Sequence, residues 1–546
     1  RFMAVFFGAV VVTCSPNSKG VDWFLYFCAM NKPIIIGSRG SELALWQANY
    51  AAQLLQDAGF MVEIKVIKTR GDAIQHLSFS KMEGKGFFTK ELEDALLQGS
   101  IDLAVHSYKD VPTQPVSGLT IAAVSYREDP FDVLVIHPNA CNPALPLSLK
   151  QEAIVGTSAA RRKSQLRALR PDLQLTDIRG NVPTRLAKVG NGCDAVVLAF
   201  AGLKRLNLIS EGYILIQLTP LQMVPAPAQG VLAYQIREND VSMQQAVQYL
   251  HDPNVAQVVA LERNILHGLG GGCQQPIGVY CNQLWDKTYQ LWVTQSGHEQ
   301  DFPNRVYLKG NNATVLEQKA LHILHAKNAK TLFISRNLPQ DSYFLKAMQQ
   351  RQYAVHAQSL IQFTPVTFNP QIPPADWIFF SSKNAVKFFF DQNPVLHPQI
   401  QLAAISKGTA QAIAALGYEV AFEGGSYPPQ TAAWFAEKAS GKTVIFPQAA
   451  NAQMTVQQHA GNAIKAINLT VYENTPIACF ALPASDILVF TSPLNVETYC
   501  KKYAIHPHQT VIAIGETTAR ALVKHQCSNY LLPYAPDEVS LADVCW

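Results

Sequence analysis

The stretch Ile34-Ile35-Ile36-Gly37-Ser38-Arg39-Gly40-Ser41-Glu42-Leu43-Ala44-Leu45-Trp46-Gln47 decides the fold class. Three isoleucines form a short buried-strand run and a Gly-Ser turn follows. Leu43, Trp46, Tyr50 and Leu54 then recur at helical spacing until Gly59 stops them. Val62, Ile64 and Val66 alternate as a second strand. Strand, helix and strand in this order open a doubly wound α/β unit, which binds ligands beyond the carboxyl ends of its strands. Ser38, Arg39 and Ser41 stand at such an end, where helix N–H groups, hydroxyls and a guanidinium suit an anion.

Working outward, Ile101 to Val105 is another strand and leads into His106-Ser107-Tyr108-Lys109-Asp110. Pro130 and the Pro-rich stretch Pro138 to Pro146 mark a crossing into a second α/β unit, and Pro225-Ala226-Pro227 marks the return. A third unit, residues 251–328, ends in an amphipathic helix through Val315, Leu316, Leu321 and Leu324. Thr331 to Ser335 begins a separate half with an internal echo. Asp376-Trp377-Ile378-Phe379-Phe380-Ser381-Ser382 resembles Asp486-Ile487-Leu488-Val489-Phe490-Thr491-Ser492, 110 residues later. Two similar α/β lobes with a cleft between them follow from that repeat.

With 546 residues, 48% hydrophobic and 15% charged, the chain can bury several cores. A formal net charge of +4 gives no bulk attraction to nucleic acid, so any basic site is local. Ten cysteines without CxxC spacing argue against a metal site or a disulfide framework and for a reducing, cytoplasmic setting. Phe2 to Val12 is nearly all apolar, but eleven residues cannot span a bilayer as a helix. Residues 1–31 are therefore expected to be an N-terminal extension or signal-like segment.

Three features carry chemistry. Cys273 sits in Gly270-Gly271-Gly272-Cys273-Gln274-Gln275-Pro276, an irregular loop that can present a thiol for attachment. Between Arg161 and Lys188 stand eight basic residues against two acidic ones, several of them beside Gly- or Ser-containing turns. Arginines placed so suit bidentate capture of carboxylates or phosphates. Asp110, after a buried-looking strand and before Pro112, can steady a developing cation or move a proton on nitrogen.

Together these segments resemble the porphobilinogen deaminases, also called hydroxymethylbilane synthases. The matching runs are Ser38 to Gln47, Thr69-Arg70-Gly71-Asp72, Gly84 to Leu92, His106 to Pro112, Val155 to Ser158 with Arg161-Arg162, Ile178 to Leu186, Ala201 to Leu206, Ala228-Gln229-Gly230 and the Cys273 loop. The resemblance implies two periplasmic-binding-protein-like α/β domains, at residues 32–130 with 225–250 and at 131–224. A small α+β domain at 251–328 would carry the cofactor cysteine. It further implies a dipyrromethane cofactor held covalently by Cys273 and gripped by Lys109, Ser107, Arg161, Arg162, Arg185, Thr157 and Ser158. Porphobilinogen would lose ammonia to give an azafulvene-like cation steadied by the catalytic Asp110. Arg39, Ser41, Lys85, Phe88, Arg179 and Arg205 would bind substrate, and four additions would give hydroxymethylbilane.

Residues 330–546 resemble the uroporphyrinogen-III synthases through Asp376 to Asn384, Ser406 to Ala410, Val471 to Thr475, Phe490 to Pro493 and Ile514 to Ala519. That resemblance implies a two-lobed α/β unit, with lobes at 330–366 with 477–546 and at 367–476. Such a unit closes hydroxymethylbilane with inversion of the last ring. Tyr472 would assist departure of the hydroxyl, and Ser381, Ser382, Thr491, Ser492, Thr517 and Thr518 would hold carboxylates. A monomer with small-molecule substrates and no nucleic-acid or membrane partner is expected. Two rivals are a solute-binding protein without chemistry, which Cys273 and Asp110 disfavour, and an active deaminase with a non-catalytic second half.

Overall fold

The computed structural model describes residues 32–68, 89–208, 212–272, 275–326, 329–425 and 428–546, with the backbone of the short strands Phe6–Phe7 and Val10–Val11. Among them no helix is long and apolar enough to cross a membrane.

The opening strand Ile34–Ser38 pairs in parallel with Val62–Val66 and Leu103–Ser107, and the helix Glu42–Asp57 packs over them. Ser41 caps that helix, its hydroxyl accepting from the Ala44 amide. Two antiparallel strands complete the five-stranded sheet, Leu232–Arg237 beside Leu103–Ser107 and Leu119–Val124 at the edge. Leu232–Arg237 arrives from far along the chain, so the polypeptide leaves this unit and returns. In between lies a second five-stranded sheet in the order Ile214–Leu218, Asp132–Ile136, Ala195–Ala199, Ile154–Gly156 and Gln174–Thr176. Alternation along Asp132–Ile136 buries both faces: Leu134 and Ile136 on one core, Val133 and Val135 on the other. Two sheets joined by paired crossings give the two α/β units that the Pro-rich crossings in the sequence predict.

Next comes an antiparallel meander of Ile277–Gln283, Tyr289–Gln295 and Asn304–Gly310. One face, with Val279, Leu291, Val293, Val306 and Leu308, packs on the helices Pro253–Gly268 and Ala313–His325. Its other face, with Tyr280, Trp292 and Tyr307, packs on the second half of the chain.

That second half contains a parallel four-stranded sheet, ordered Ala354–Ala357, Thr331–Ile334, Ile487–Phe490 and Thr510–Ala513. Beside it is a six-stranded sheet ordered Ile361–Pro365, Lys465–Pro476, Thr443–Ala449, Trp377–Phe380, Gln401–Ala404 and Phe422–Glu423. The sequence echo is structural. Each aspartate heads a strand and accepts from a neighbouring strand's amide, Asp376 from Thr443 at 2.9 Å and Asp486 from Thr331 at 2.8 Å. Each strand then turns at a serine, Ser382 or Ser492, that caps the next helix.

Arg305 of the meander joins the halves. It is 4% exposed, and its Nε and Nη2 donate to both carboxylate oxygens of Asp543, at 3.0 and 3.1 Å. Nη2 also donates to the Pro220 carbonyl at 2.8 Å. Burial opposes the Arg305 charge, but Asp543 outweighs it and raises the guanidinium pKa. Asp543→Ala strands that cation and is expected to cost about 3–5 kcal/mol in urea unfolding, whereas Arg305→Met with Asp543→Leu recovers most of the loss. Unchanged stability in Asp543→Ala would show that the pair holds nothing together.

Candidate active site

The first site grows from the seam between the first two sheets. Asp132 opens its strand at 0% exposure. Arg161 approaches its Oδ2 at 2.8 Å, and Arg162 Nη2 and Nε donate to Oδ1 at 2.8 and 3.2 Å. Both arginines lie in the helix Ala160–Leu169 and continue inward, Arg161 to the Val224 carbonyl at 2.7 Å and Arg162 to that of Val197 at 2.9 Å. Burial alone would raise the Asp132 pKa, but the two guanidiniums hold it far below the usual carboxylate range.

Gln229 carries this cluster across the seam. Its Nε2 donates to Asp132 Oδ1 at 3.1 Å and to the Pro130 carbonyl at 2.8 Å, while its Oε1 accepts from the Lys109 ammonium at 3.3 Å. The next residue, Gly230, has φ +90°, and a Cβ there would lie 2.2 Å from the Glu128 carbonyl oxygen, so only glycine fits. Lys109 and Asp110 occupy the turn Tyr108–Asp110 at the carboxyl end of Leu103–Ser107, and Asp110 is exposed. Ser107, in the same strand, accepts from Gln47 Nε2 at 2.9 Å.

The electrostatics follow from this crowding. Burial lowers the Lys109 pKa; Asp110 and Asp132 oppose that, and Arg162 and Arg161 reinforce it. Arg185 is likewise lowered, first by burial and then by Arg162, with Arg179 adding to the effect and Asp110 opposing it. Arg185 Nε donates to the Gly180 carbonyl at 2.8 Å. Thr157 is buried, and Ser158 donates to the Ile178 carbonyl at 2.6 Å, which fixes the turn ahead of the arginine helix. Arg205 donates to the Gly230 carbonyl at 2.7 Å and lies 5.5 Å from the Trp46 ring centroid. Burial pushes the pKa of His106, which bonds Gln235 at 3.0 Å, down to about 4; the Gln235 bond opposes this and Arg39 adds to it. One exposed carboxylate thus faces cations that repel one another, an arrangement suited to a polyanion that passes through a cationic state.

Not all of the basic run joins this cluster. Lys163 pairs with Asp177 and Glu299, and Arg170 with Asp172 and three carbonyls, so these two hold structure. Cys273, Lys85, Phe88 and the run Thr69 to Asp72 lie outside the described residues. Asp132 and Gln229 escaped assignment from sequence, although Asp129-Pro130-Phe131-Asp132 places an acid at the head of an apolar strand, an unusual position.

In the second half, Tyr472 lies in Lys465–Pro476, 7% exposed, stacked on Phe388 at 5.1 Å. Burial raises its pKa, and the neighbouring Ser382 side chain opposes that. Ser382 and Tyr472 are thus together, while Ser381 is exposed beside them. Thr491 turns inward and donates to the Ser335 carbonyl at 2.9 Å, and Ser492 accepts from the Asn495 amide at 3.2 Å. Thr517 is exposed and Thr518 buried in the first turn of the helix Glu516–Lys524.

Residues 34–245 match the family model "Porphobilinogen deaminase, dipyromethane cofactor binding domain", and residues 343–543 match "Uroporphyrinogen-III synthase HemD". The porphobilinogen deaminase of Sulfurimonas denitrificans is 44% identical over 263 residues, 48% of this chain and 82% of that protein. That of Moorella thermoacetica is 48% identical over 248 residues, 45% of this chain and 77% of that protein. A solved uroporphyrinogen-III synthetase from Helicobacter pylori overlaps 39% of this chain and 97% of its own, at 20% identity and a TM-score of 0.31, too loose to bear on function. The chain therefore belongs to the porphobilinogen deaminase family, and residues 343–543 behind that part match the uroporphyrinogen-III synthase model.

Proposed function

We propose that the first half condenses four porphobilinogen molecules into hydroxymethylbilane around Asp110, and that the second half closes this product to uroporphyrinogen III around Tyr472. The observation that carries the first part is the exposed Asp110 carboxylate set among Lys109 and Arg185. The donor set fits a dipyrromethane, whose acetate and propionate groups need several cations. Lys109 and Arg185 would meet those carboxylates first, with Arg161 and Arg162, held by Asp132, adding positive charge behind them and Ser107, Thr157 and Ser158 completing the cofactor site. Bound through Cys273, the group would supply the free pyrrole carbon from which the bilane is built. Asp110 stabilises positive charge as ammonia leaves porphobilinogen and accepts hydrogen bonds from pyrrole nitrogens. Arg39, Ser41, Lys85, Phe88, Arg179 and Arg205 complete the binding surface for incoming substrate.

In the second half, burial raises the pKa of the Tyr472 phenol, which is protonated at neutral pH and lies near Ser382. A phenol so placed can donate a hydrogen bond to a departing hydroxyl. The capping serines and the helix N-termini that follow Ser382, Ser492 and Gly515 suit the carboxylates of a bilane.

Asp110→Asn keeps the side chain's shape and removes its charge, so bilane formation is expected to fall about 10²–10³-fold with the melting temperature unchanged. Near-parental turnover would take Asp110 out of the chemistry. For the second half, Tyr472→Phe is expected to slow closure about 10–100-fold, shifting the oxidised porphyrins from type III towards type I while bilane formation continues at its normal rate. Chromatography separates the two isomers, and an unchanged ratio and rate would exclude Tyr472. Attachment is read by mass: the purified chain should be heavier by two porphobilinogen units less the ammonia lost, with peptide mapping placing the addition on Cys273. Cys273→Ser should lack it, because a hydroxyl is a far weaker nucleophile than a thiolate. The same mass on Cys281 or Cys193 would refute the assignment.

A further inference from the structure

Asp110 stands in a stretch with little backbone support. After the strand Leu103–Ser107 ends, the next regular strand begins at Leu119. Across the turn itself, the Tyr108 amide donates to the Val231 carbonyl at 2.9 Å and the Val111 amide to that of Tyr108 at 3.2 Å. Beside the turn, Tyr108 lines a pocket of about 160 Å³ that is largely open to solvent, together with Ile121, Ala123, Val124, His251 and Val259, so its ring has fewer packing partners on that side.

Arg263 supplies what is missing. This half-buried residue lies in the helix Pro253–Gly268. Its Nη1 donates to the carbonyls of Tyr108 and Val111 at 3.2 and 3.0 Å, and its Nη2 to that of Pro112 at 2.7 Å. The guanidinium also lies over the Tyr108 ring, 4.6 Å from its centroid. One planar cation therefore grips the main chain on both sides of Lys109 and Asp110. A second, weaker tie has the same origin and destination, the Thr113 hydroxyl donating to the Gly271 carbonyl at 3.4 Å just past the end of that helix. Gly271 lies two positions before Cys273 in sequence.

We infer that Arg263 is a positioning residue: by holding three carbonyls of the Tyr108–Pro112 turn, it fixes the Asp110 carboxylate relative to the helix that leads into the cysteine loop. Among the described residues, Nη1 and Nη2 of Arg263 donate to main-chain carbonyls, which makes it a holder of the turn. Its effect falls on the rate of the chemical step, where a misplacement of about 1 Å can cost on the order of 10²-fold. Lysine is no substitute, because an ammonium is a point donor and cannot span three carbonyls as a planar fork does.

This inference rests on Asp110 serving the reaction, so Arg263→Gln and Arg263→Lys are compared with Asp110→Asn in the full-length chain. The measurements are kcat and KM for porphobilinogen, the melting temperature and the mass of the purified chain. Both Arg263 variants are expected to lose about 10–100-fold in kcat, with KM within about threefold of the parent and the cofactor mass retained. Full turnover in Asp110→Asn would overturn the role of Asp110 and this inference with it. An inactive Asp110→Asn beside Arg263 variants with kcat within about twofold of the parent would overturn only the role of Arg263. Recovery of parental kcat by lysine would also overturn it, since charge alone would then suffice. Should Arg263→Gln fail to fold, Arg263→Lys, which keeps the charge over Tyr108, gives the same readout.

Discussion

A buried carboxylate with two guanidiniums is an expensive arrangement, and most of the first half depends on it. Asp132 ties the arginine helix to the head of its own strand, and through Gln229 it reaches Lys109 on the other sheet. Removing any one partner would leave an uncompensated charge among buried side chains. The stoichiometry also matters. Two cations share one anion, so the cluster keeps a surplus positive charge at the seam of the two sheets, and Lys109 and Arg185 add to it. The site carries a surplus of positive charge, which suits an anionic ligand.

Much of the architecture was legible because it is local. Isoleucine runs, helical spacing and capping serines report on a few neighbouring residues, and the strands and helices at Ile34–Asp57 and at both copies of the repeat appear where those patterns stand. Ser406, where the second copy has Gly515, shows how far a pattern can vary. Both residues hold extended N-cap backbones, at φ −156° and −173°, where a side chain costs nothing.

What stayed hidden is non-local. Nothing near Asp132 announces arginines about thirty residues on, and Arg263 is an ordinary helical arginine until its partners at Tyr108, Val111 and Pro112 are known. Ser382 and Tyr472 were each visible as candidates, but their pairing depends on how the six-stranded sheet is assembled. The contact between the halves was beyond reach for the same reason. The alternation in Tyr280, Trp292 and Tyr307 shows that a second face is apolar without showing what covers it.

That covered face has a consequence for how the protein is made. The partners Arg305 and Asp543 are separated by 238 positions in sequence. A ribosome must deliver all of the intervening chain before the aromatic side of the meander can be sealed. Until then the deaminase part is nascent with an open apolar flank, the kind of surface that chaperones hold and that aggregates when they do not. Fusion therefore binds the fate of the first enzyme to the completion of the second.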